Sequence, residues 1–282
     1  MRNLLSAGFH RLKKDKIFWA GLIIMLMLSA GTMAISFSQA FAAVDGNRPP
    51  LDEVYWVLTP VLSIFYAVFS SLFIGTEYSE GTIRNKIAVG QKRIAIYLSN
   101  YIICFTVGLL LVVVWLIGGL IGVPVFGFFK MRIQDIFIYL GTILLFTAAW
   151  TGILMLLCML SANKAVTAVM ALLLILLLLI IGRLLIIGSM LYNSLSQPEF
   201  YDGVIVTAEG LKQGDPMPNP NFVRGTKRVI YQFLVDCLPS SQAILIANAE
   251  LKRPVLSLIC SLLIAVMTTA VGIWGFSKKD IK

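Results

Sequence analysis

The sequence predicts an all-α polytopic membrane protein with six transmembrane helices. An amphipathic interfacial helix precedes the first, and a long outer loop carrying short helices joins the fifth to the sixth. Three observations carry this. Of the 282 residues, 59% are hydrophobic and 13% are charged, where a soluble domain carries about 25% charged residues. Six stretches reach the roughly 20 apolar residues a helix needs to cross the hydrocarbon. Runs such as "AVMALLLILLLLIIG" lack the period-two alternation of barrel strands, so the spans are helices, whose backbone polar groups are satisfied internally.

The first 16 residues, "MRNLLSAGFHRLKKDK", place Leu4, Leu5, Phe9 and Leu12 toward one side of a helix. Arg11, Lys13 and Lys14 fall largely on the other. The pattern reads as a helix lying in the membrane interface, and a basic tail without structure is the plainer alternative. The apolar run that follows is longer than the 7–15 residues of a signal-peptide core, so 17–37 is read as an uncleaved span. The remaining spans are 57–75, 96–123, 136–160, 165–191 and 255–276. Gly118 and Gly122 have the i, i+4 spacing of a small-residue packing face, though glycine is also simply frequent in membrane helices.

Lysine and arginine set the orientation. They gather at Arg2, Arg11, Lys13, Lys14 and Lys16, at Arg84, Lys86, Lys92 and Arg93, at Lys164, and at Lys278, Lys279 and Lys282. The two short loops on the other side hold Arg48, Lys130 and Arg132. This bias puts both chain ends and loop 76–95 in the cytoplasm. Loop 192–254 lies outside, although it carries cations of its own, because long loops obey the rule weakly. Its first half is rich in Pro, Gly, Asp and Asn, which means turns and irregular chain. Its second half reads as two short helices broken at Pro239. These lie on the outer surface, dip into the membrane, or form a small soluble cap.

Several functions are excluded or lose support. Cys104, Cys158 and Cys260 fall within apolar runs and act as small hydrophobes; Cys237 stands alone, and no disulfide framework is expected. A single histidine, His10, and no CxxC leave no metal site of the usual zinc kinds. There is no P-loop and no HExxH pair, so the chain reads as a non-enzyme that does not bind ATP by that route. No basic stripe interleaved with aromatics points to nucleic acid. The spans carry no acid near their middle, which weakens an ion-coupled mechanism. Arg183 is the one clear intramembrane charge. It lies about 27 Å along its helix from Ala165 at 1.5 Å per residue, where it snorkels to the interface or meets an anionic group of a substrate.

One polar segment interrupts the oil: "FIGTEYSEGTIRNKIAVGQKRIAIYLSN", residues 73–100. Glu77 to Asn85 reads as a short helix along the membrane, with Glu77 and Glu80 near its start and Arg84 and Lys86 toward its end, as a helix dipole favours. Tyr78, Ile83 and Ile87 offer an apolar contact, and Gly81-Thr82 permits a sharp bend. A short helix between two spans is a lever, because force on it moves both. An ordinary cation-rich loop is the other reading.

The stretch "GTEYSEGTIRNKIAVGQKRIAIYLSN" closely resembles the loop between the second and third spans of ABC type 2 exporter permeases. Gly75, Glu77, Tyr78, Gly81, Thr82, Ile83, Arg84, Lys86, Arg93 and Ile96 occupy the positions of that pattern, and the ending "GIWGFSKKDIK" looks like the same family. The resemblance implies a bacterial plasma-membrane permease subunit without its own ATPase. ATP and Mg would be bound by two cytoplasmic ABC ATPase subunits, and a second permease subunit, identical or a sister, would complete the complex. Glu77, Tyr78, Gly81, Thr82, Ile83, Arg84 and Lys86 would couple ATP hydrolysis to the spans. The cargo that fits apolar spans is an antimicrobial or toxic peptide or an amphiphilic drug. A different class of function remains beside this one: a non-transport scaffold or sensor subunit that uses the outer loop as receptor.

Overall fold

The structure is a computed structural model that describes residues 1–42, 50–127, 129–161, 163–187, 199–207, 210–220, 222 and 224–279. The end of the predicted fifth span, residues 188–191, lies outside the described residues. Among the described residues, six helices are long and apolar enough to cross a membrane. They are α2 (Lys16–Ala42), α4 (Thr59–Ser79), α6 (Arg93–Gly119), α8 (Ile133–Leu160), α9 (Lys164–Ile187) and α12 (Pro254–Lys278). Shorter elements join them: α1 (Arg2–Lys14), α3 (Leu51–Tyr55), α5 (Thr82–Ala88), a 3₁₀ turn at Leu120–Gly122 and α7 (Val123–Phe126). Proline stands in the first turn of α4 and of α12, where its missing N–H costs nothing and its fixed φ suits a helix start.

Helices α4, α6 and α8 form the middle of the bundle, and their large side chains fill it: Phe73, Trp115, Phe146 and Trp150 are all but fully buried. Helices α2, α9 and α12 turn one side outward, with Met27, Leu173 and Val266 exposed. That is the pattern of a protein whose solvent on that side is lipid. Helix α1 buries Leu4, Gly8 and Leu12 against this bundle, so its apolar side packs on α6 rather than only on lipid.

Gly118 and Gly122 form a packing face within the chain. A Cβ on Gly118 would lie 2.8 Å from Ser29 Cβ, and one on Gly122 would lie 2.7 Å from Met33 Sδ. Ser29 and Met33 are one turn apart on α2, so the two glycines let α2 approach α6 and the 3₁₀ turn that follows it closely. Ser29 Oγ then donates to the Trp115 carbonyl at 2.7 Å.

The loop before α12 departs from expectation in three ways. First, part of the stretch read as irregular pairs as an antiparallel hairpin, β1 (Phe200–Thr207) with β2 (Gly210–Pro218), in register from Phe200↔Pro218 to Thr207↔Gly210 with one irregularity between Tyr201 and Gly203. The β-branched run Val204, Ile205, Val206 and Thr207 favours strand and outweighs the surrounding turn formers. Second, the two short helices, α10 (Thr226–Cys237) and α11 (Pro239–Ala247), meet at an 80° bend, and every residue of α11 is buried. Helix α11 therefore enters the bundle, where it packs on α9, α4 and α8, while α10 leaves Val229, Ile230 and Phe233 exposed. Third, Cys237 forms a disulfide with Cys260, their Cα atoms 5.1 Å apart. The expectation that Cys260 is only a small hydrophobe was wrong, because the partner is 23 residues away in sequence and becomes a neighbour only when α10 folds back on α12. Cys104 and Cys158 are free and buried.

Candidate functional site

The polar segment lies at the end of the bundle that carries both chain ends. The sequence reading ends the second span at Gly75 and starts a short helix at Glu77. The structure instead carries α4 without a break to Ser79. Gly75 is interior to the helix because α9 starts against it: a Cβ there would lie 3.0 Å from Lys164 Cα. The break comes at Gly81, whose φ of 67° lies in the left-handed region that glycine enters at no steric cost. Helix α5 then runs Thr82–Ala88, and Gly90, with φ of 85°, turns the chain toward α6.

Glu77, in the last turn of α4, is buried with 2% of its side chain exposed. Its Oε1 lies 2.8 Å from an Arg11 guanidinium nitrogen of α1 and 2.6 Å from Lys86 Nζ of α5. Asn100 Nδ2 of α6 donates to Oε2 at 2.8 Å. Arg11 is held in turn by Phe73: its guanidinium stacks 4.2 Å from the ring centroid and donates to the Phe73 carbonyl at 2.5 Å. One carboxylate therefore ties four helices together. Burying a lone charge costs several kcal/mol, which close partners and hydrogen bonds offset.

A second contact set lies beside the first. Tyr78 OH donates to the Met159 carbonyl at 2.6 Å. Lys279 Nζ donates to the same carbonyl at 2.9 Å and stands 4.3 Å over the Tyr78 ring; burial draws its ammonium down from the usual lysine range. Arg93, at the start of α6, donates to the carbonyls of Phe276, Ser277 and Lys279 at 3.2, 3.0 and 2.5 Å. These are groups left without partners where α12 ends, and a cation there also suits the helix dipole.

The residues singled out from sequence thus divide. Glu77 is buried; Ile83 is buried on the inner side of α5; Tyr78 and Lys86 are partly buried and turned to the protein; Gly81 and Thr82 form the bend. Arg84 and Asn85 are exposed, and Val89 is 80% exposed. Arg183 is exposed on α9 between exposed Ile180 and Leu184, so it faces outward rather than into the bundle.

Sequence reasoning did not find Arg11, Asn100 or Lys279. Arg11 had a signal: it follows Leu4 by seven residues, and at about 100° per residue that returns it to the buried side of α1. Asn100 had one too, as a full amide inside an apolar run. Lys279 had none, because its partners are more than a hundred residues away. In mechanical terms the arrangement is a junction: α5 shows one side to solvent, packs with the other on α4 and α6, and is linked to α1 through Lys86 and Glu77.

A family model described as ABC-2 family transporter protein matches residues 4–192, from α1 through the fifth span and well over half of the chain. No curated protein matches the chain.

Proposed function

The chain belongs to the ABC-2 transporter family, and from that premise we propose that it is the membrane-spanning part of an ATP-driven exporter. A permease subunit of an ABC transporter is a multi-pass membrane protein that works with ABC ATPase subunits. On our reading two such subunits, which hold ATP and Mg themselves, dock on the exposed side of α5, one for each of two permease subunits. The observation that carries this is the two-sidedness of α5, with Arg84 outside and Lys86 bonded to buried Glu77. Closure of the ATPases presses on α5. Lys86 and Glu77 pass the displacement to α1, α4 and α6, and Tyr78 passes it to α8 and to the end of α12. A switch of this kind needs an element with two packings that the ligand biases, and the α4–α5–α6 unit is that element.

The orientation follows the cation bias: both chain ends and α5 in the cytoplasm of a bacterial cell. The Cys237–Cys260 disulfide at the opposite end supports it, because disulfides persist in oxidising compartments and are rare in the cytosol. The cargo best suited to spans without acids at mid-depth is an antimicrobial or toxic peptide or an amphiphilic drug.

The test is Arg84→Glu in the chain co-expressed with its ATPase. We expect cargo-stimulated ATP hydrolysis to fall about ten-fold, with expression and thermal unfolding unchanged. Full stimulation in the variant would remove Arg84 from the docking surface. The rival reading, a scaffold or sensor using the loop before α12 as receptor, predicts that the purified chain brings no P-loop ATPase with it.

A further inference from the structure

Between α2 on one side and α4 with α6 on the other runs an apolar groove of about 130 Å³. Ile17, Ala20, Gly21 and Ile24 line it from α2, and Phe65 and Phe69 from α4. Ile17, Ala20 and Ile24 are exposed, so the groove opens to the surroundings of the bundle. Nothing lies within 4 Å of a Cβ built on Gly21, so its middle has room. An apolar cavity of about 150 Å³ takes a benzene molecule, so this space takes a short stretch of hydrocarbon. From Ile17 to Ile24 it runs roughly 10 Å at 1.5 Å per residue, from the interface toward the middle of the bilayer.

The mouth of the groove is cationic. Lys16 directly precedes the groove residue Ile17, Lys14 and Lys13 lie two and three residues before Lys16, and all three are exposed; Lys16 stands one turn before Ala20 on α2. The acid among them, Asp15, accepts from the Ile17 backbone N–H at 2.8 Å through Oδ1, and one carboxylate leaves the three-lysine segment cationic. Trp19, an exposed side chain of the type enriched at headgroup level, is fixed beside them by donating from Nε1 to the Lys13 carbonyl at 2.9 Å.

We infer that this groove and the lysines at its mouth form a binding site for an anionic phospholipid of the leaflet on the side of both chain ends. The acyl chain lies along Gly21 and the headgroup phosphate rests on Lys13, Lys14 and Lys16. Charge selects this occupant. A zwitterionic lipid fills the groove equally but carries no net charge for the lysines. A second copy of the chain seated there through the same face would bring further cations of that segment toward this cluster, and like charges across an interface are costly.

The experiment uses the full chain in bilayers with spin-labelled phosphatidylglycerol or phosphatidylcholine, counting motionally restricted lipids per chain. The wild type should hold phosphatidylglycerol several-fold in preference. Lys13→Gln/Lys14→Gln/Lys16→Gln should bring the preference down toward parity, by up to roughly five-fold per lysine. Gly21→Leu, whose Cβ meets no neighbour and whose longer side chain fills the groove, should remove about one restricted phosphatidylglycerol per chain while the lysines stay. An unchanged preference in the triple variant overturns the proposal. So does an unchanged count in Gly21→Leu, which would mean diffuse surface attraction without a site. Disulfide cross-linking between copies through Ile24→Cys would place a second chain in the groove and also overturn it.

Discussion

The two ends of the bundle are held together by different chemistry. At the end that carries both chain ends the central group is a buried carboxylate shared by two cations, Arg11 and Lys86, and the amide of Asn100. At the opposite end neutral groups carry most of the packing, beside a buried Asp52 that accepts from the Lys130 and Met131 backbone N–H groups and an Asp236 that lies 3.8 Å from Arg253. Tyr55, Trp56 and Phe129 pack with Trp115 and Tyr139, with the Tyr55 and Phe129 centroids 4.8 Å apart and those of Trp56 and Tyr139 5.3 Å apart. Buried Gln242 donates to the Asp236 and Ser257 carbonyls at 2.8 and 3.1 Å and accepts from Ser261 Oγ at 2.6 Å. A disulfide closes the same region. The difference teaches where motion is accommodated. An aromatic cluster and a saturated amide have one good packing, and interiors of that kind resist continuous deformation. An oxygen shared by two cations can keep one while the other moves, so its junction has more than one acceptable arrangement.

The largest effect that bears on this contrast is Glu77→Ala. It leaves Arg11, Lys86 and Asn100 facing a gap, and removal of one partner from a buried ion pair costs about 3–5 kcal/mol. The thermal unfolding midpoint of the detergent-solubilised chain should fall markedly, and Glu77→Gln should recover part of the loss by restoring the contact to one donor. A cost below about 1 kcal/mol for the alanine variant would mean that water already shares the carboxylate, and the brace would be no brace. Gln242→Leu is the matching experiment at the other end. It takes a donor from two carbonyls, of which that of Ser257 keeps its bond within α12, and leaves the Ser261 hydroxyl without its acceptor, at about 1–3 kcal/mol for buried groups left unsatisfied. Denaturation should report a smaller loss than at Glu77; a larger one would reverse the comparison.

The six spans were legible because their signal, an apolar run of sufficient length, is local. The bend at Gly81 was legible for the same reason, since a left-handed residue is almost always glycine. What failed depends on distant residues. Gly75 was read as a helix end when it is a contact point for Lys164, and so Glu77 was placed one element too late. The Cys237–Cys260 pair and the buried course of α11 both require α10 to fold back on α12, which no window of sequence contains. The hairpin was missed for another reason: a short β-branched run was judged by the turn-forming residues around it. At the site, residue types and bend came from the sequence, while inward and outward faces came from packing.

A middle-sized effect tests how far the ionic end extends. Arg93→Gln removes the cation that serves three carbonyls at the end of α12. A charge at a helix C-terminus contributes about 0.3–1 kcal/mol, and up to about 2 when partly buried. We expect about 1 kcal/mol by thermal unfolding, together with faster amide hydrogen exchange confined to the last turn of α12. Exchange that rises equally along the whole helix would show that Arg93 holds the packing against α8 rather than the helix end.

The smallest effect, that of Arg84→Gln, lies within α5 and sharpens the contrast most when set beside Lys86→Gln. Arg84 and Lys86 are two residues apart, and positions i and i+2 on a helix do not share a face. Lys86→Gln takes one of two cations from Glu77 and should cost about 1–2 kcal/mol, since a hydrogen bond to a charged group contributes about 1.5–3 kcal/mol and Arg11 remains. Arg84→Gln changes an exposed side chain and should stay within about 0.5 kcal/mol. Measured side by side, the two variants should separate by unfolding midpoint and separate again, in the opposite order, by affinity for the ATPase subunit. Equal midpoints would mean that α5 has no inner and outer side in solution, and a docking surface built on that distinction would have to be sought elsewhere on the same end of the bundle.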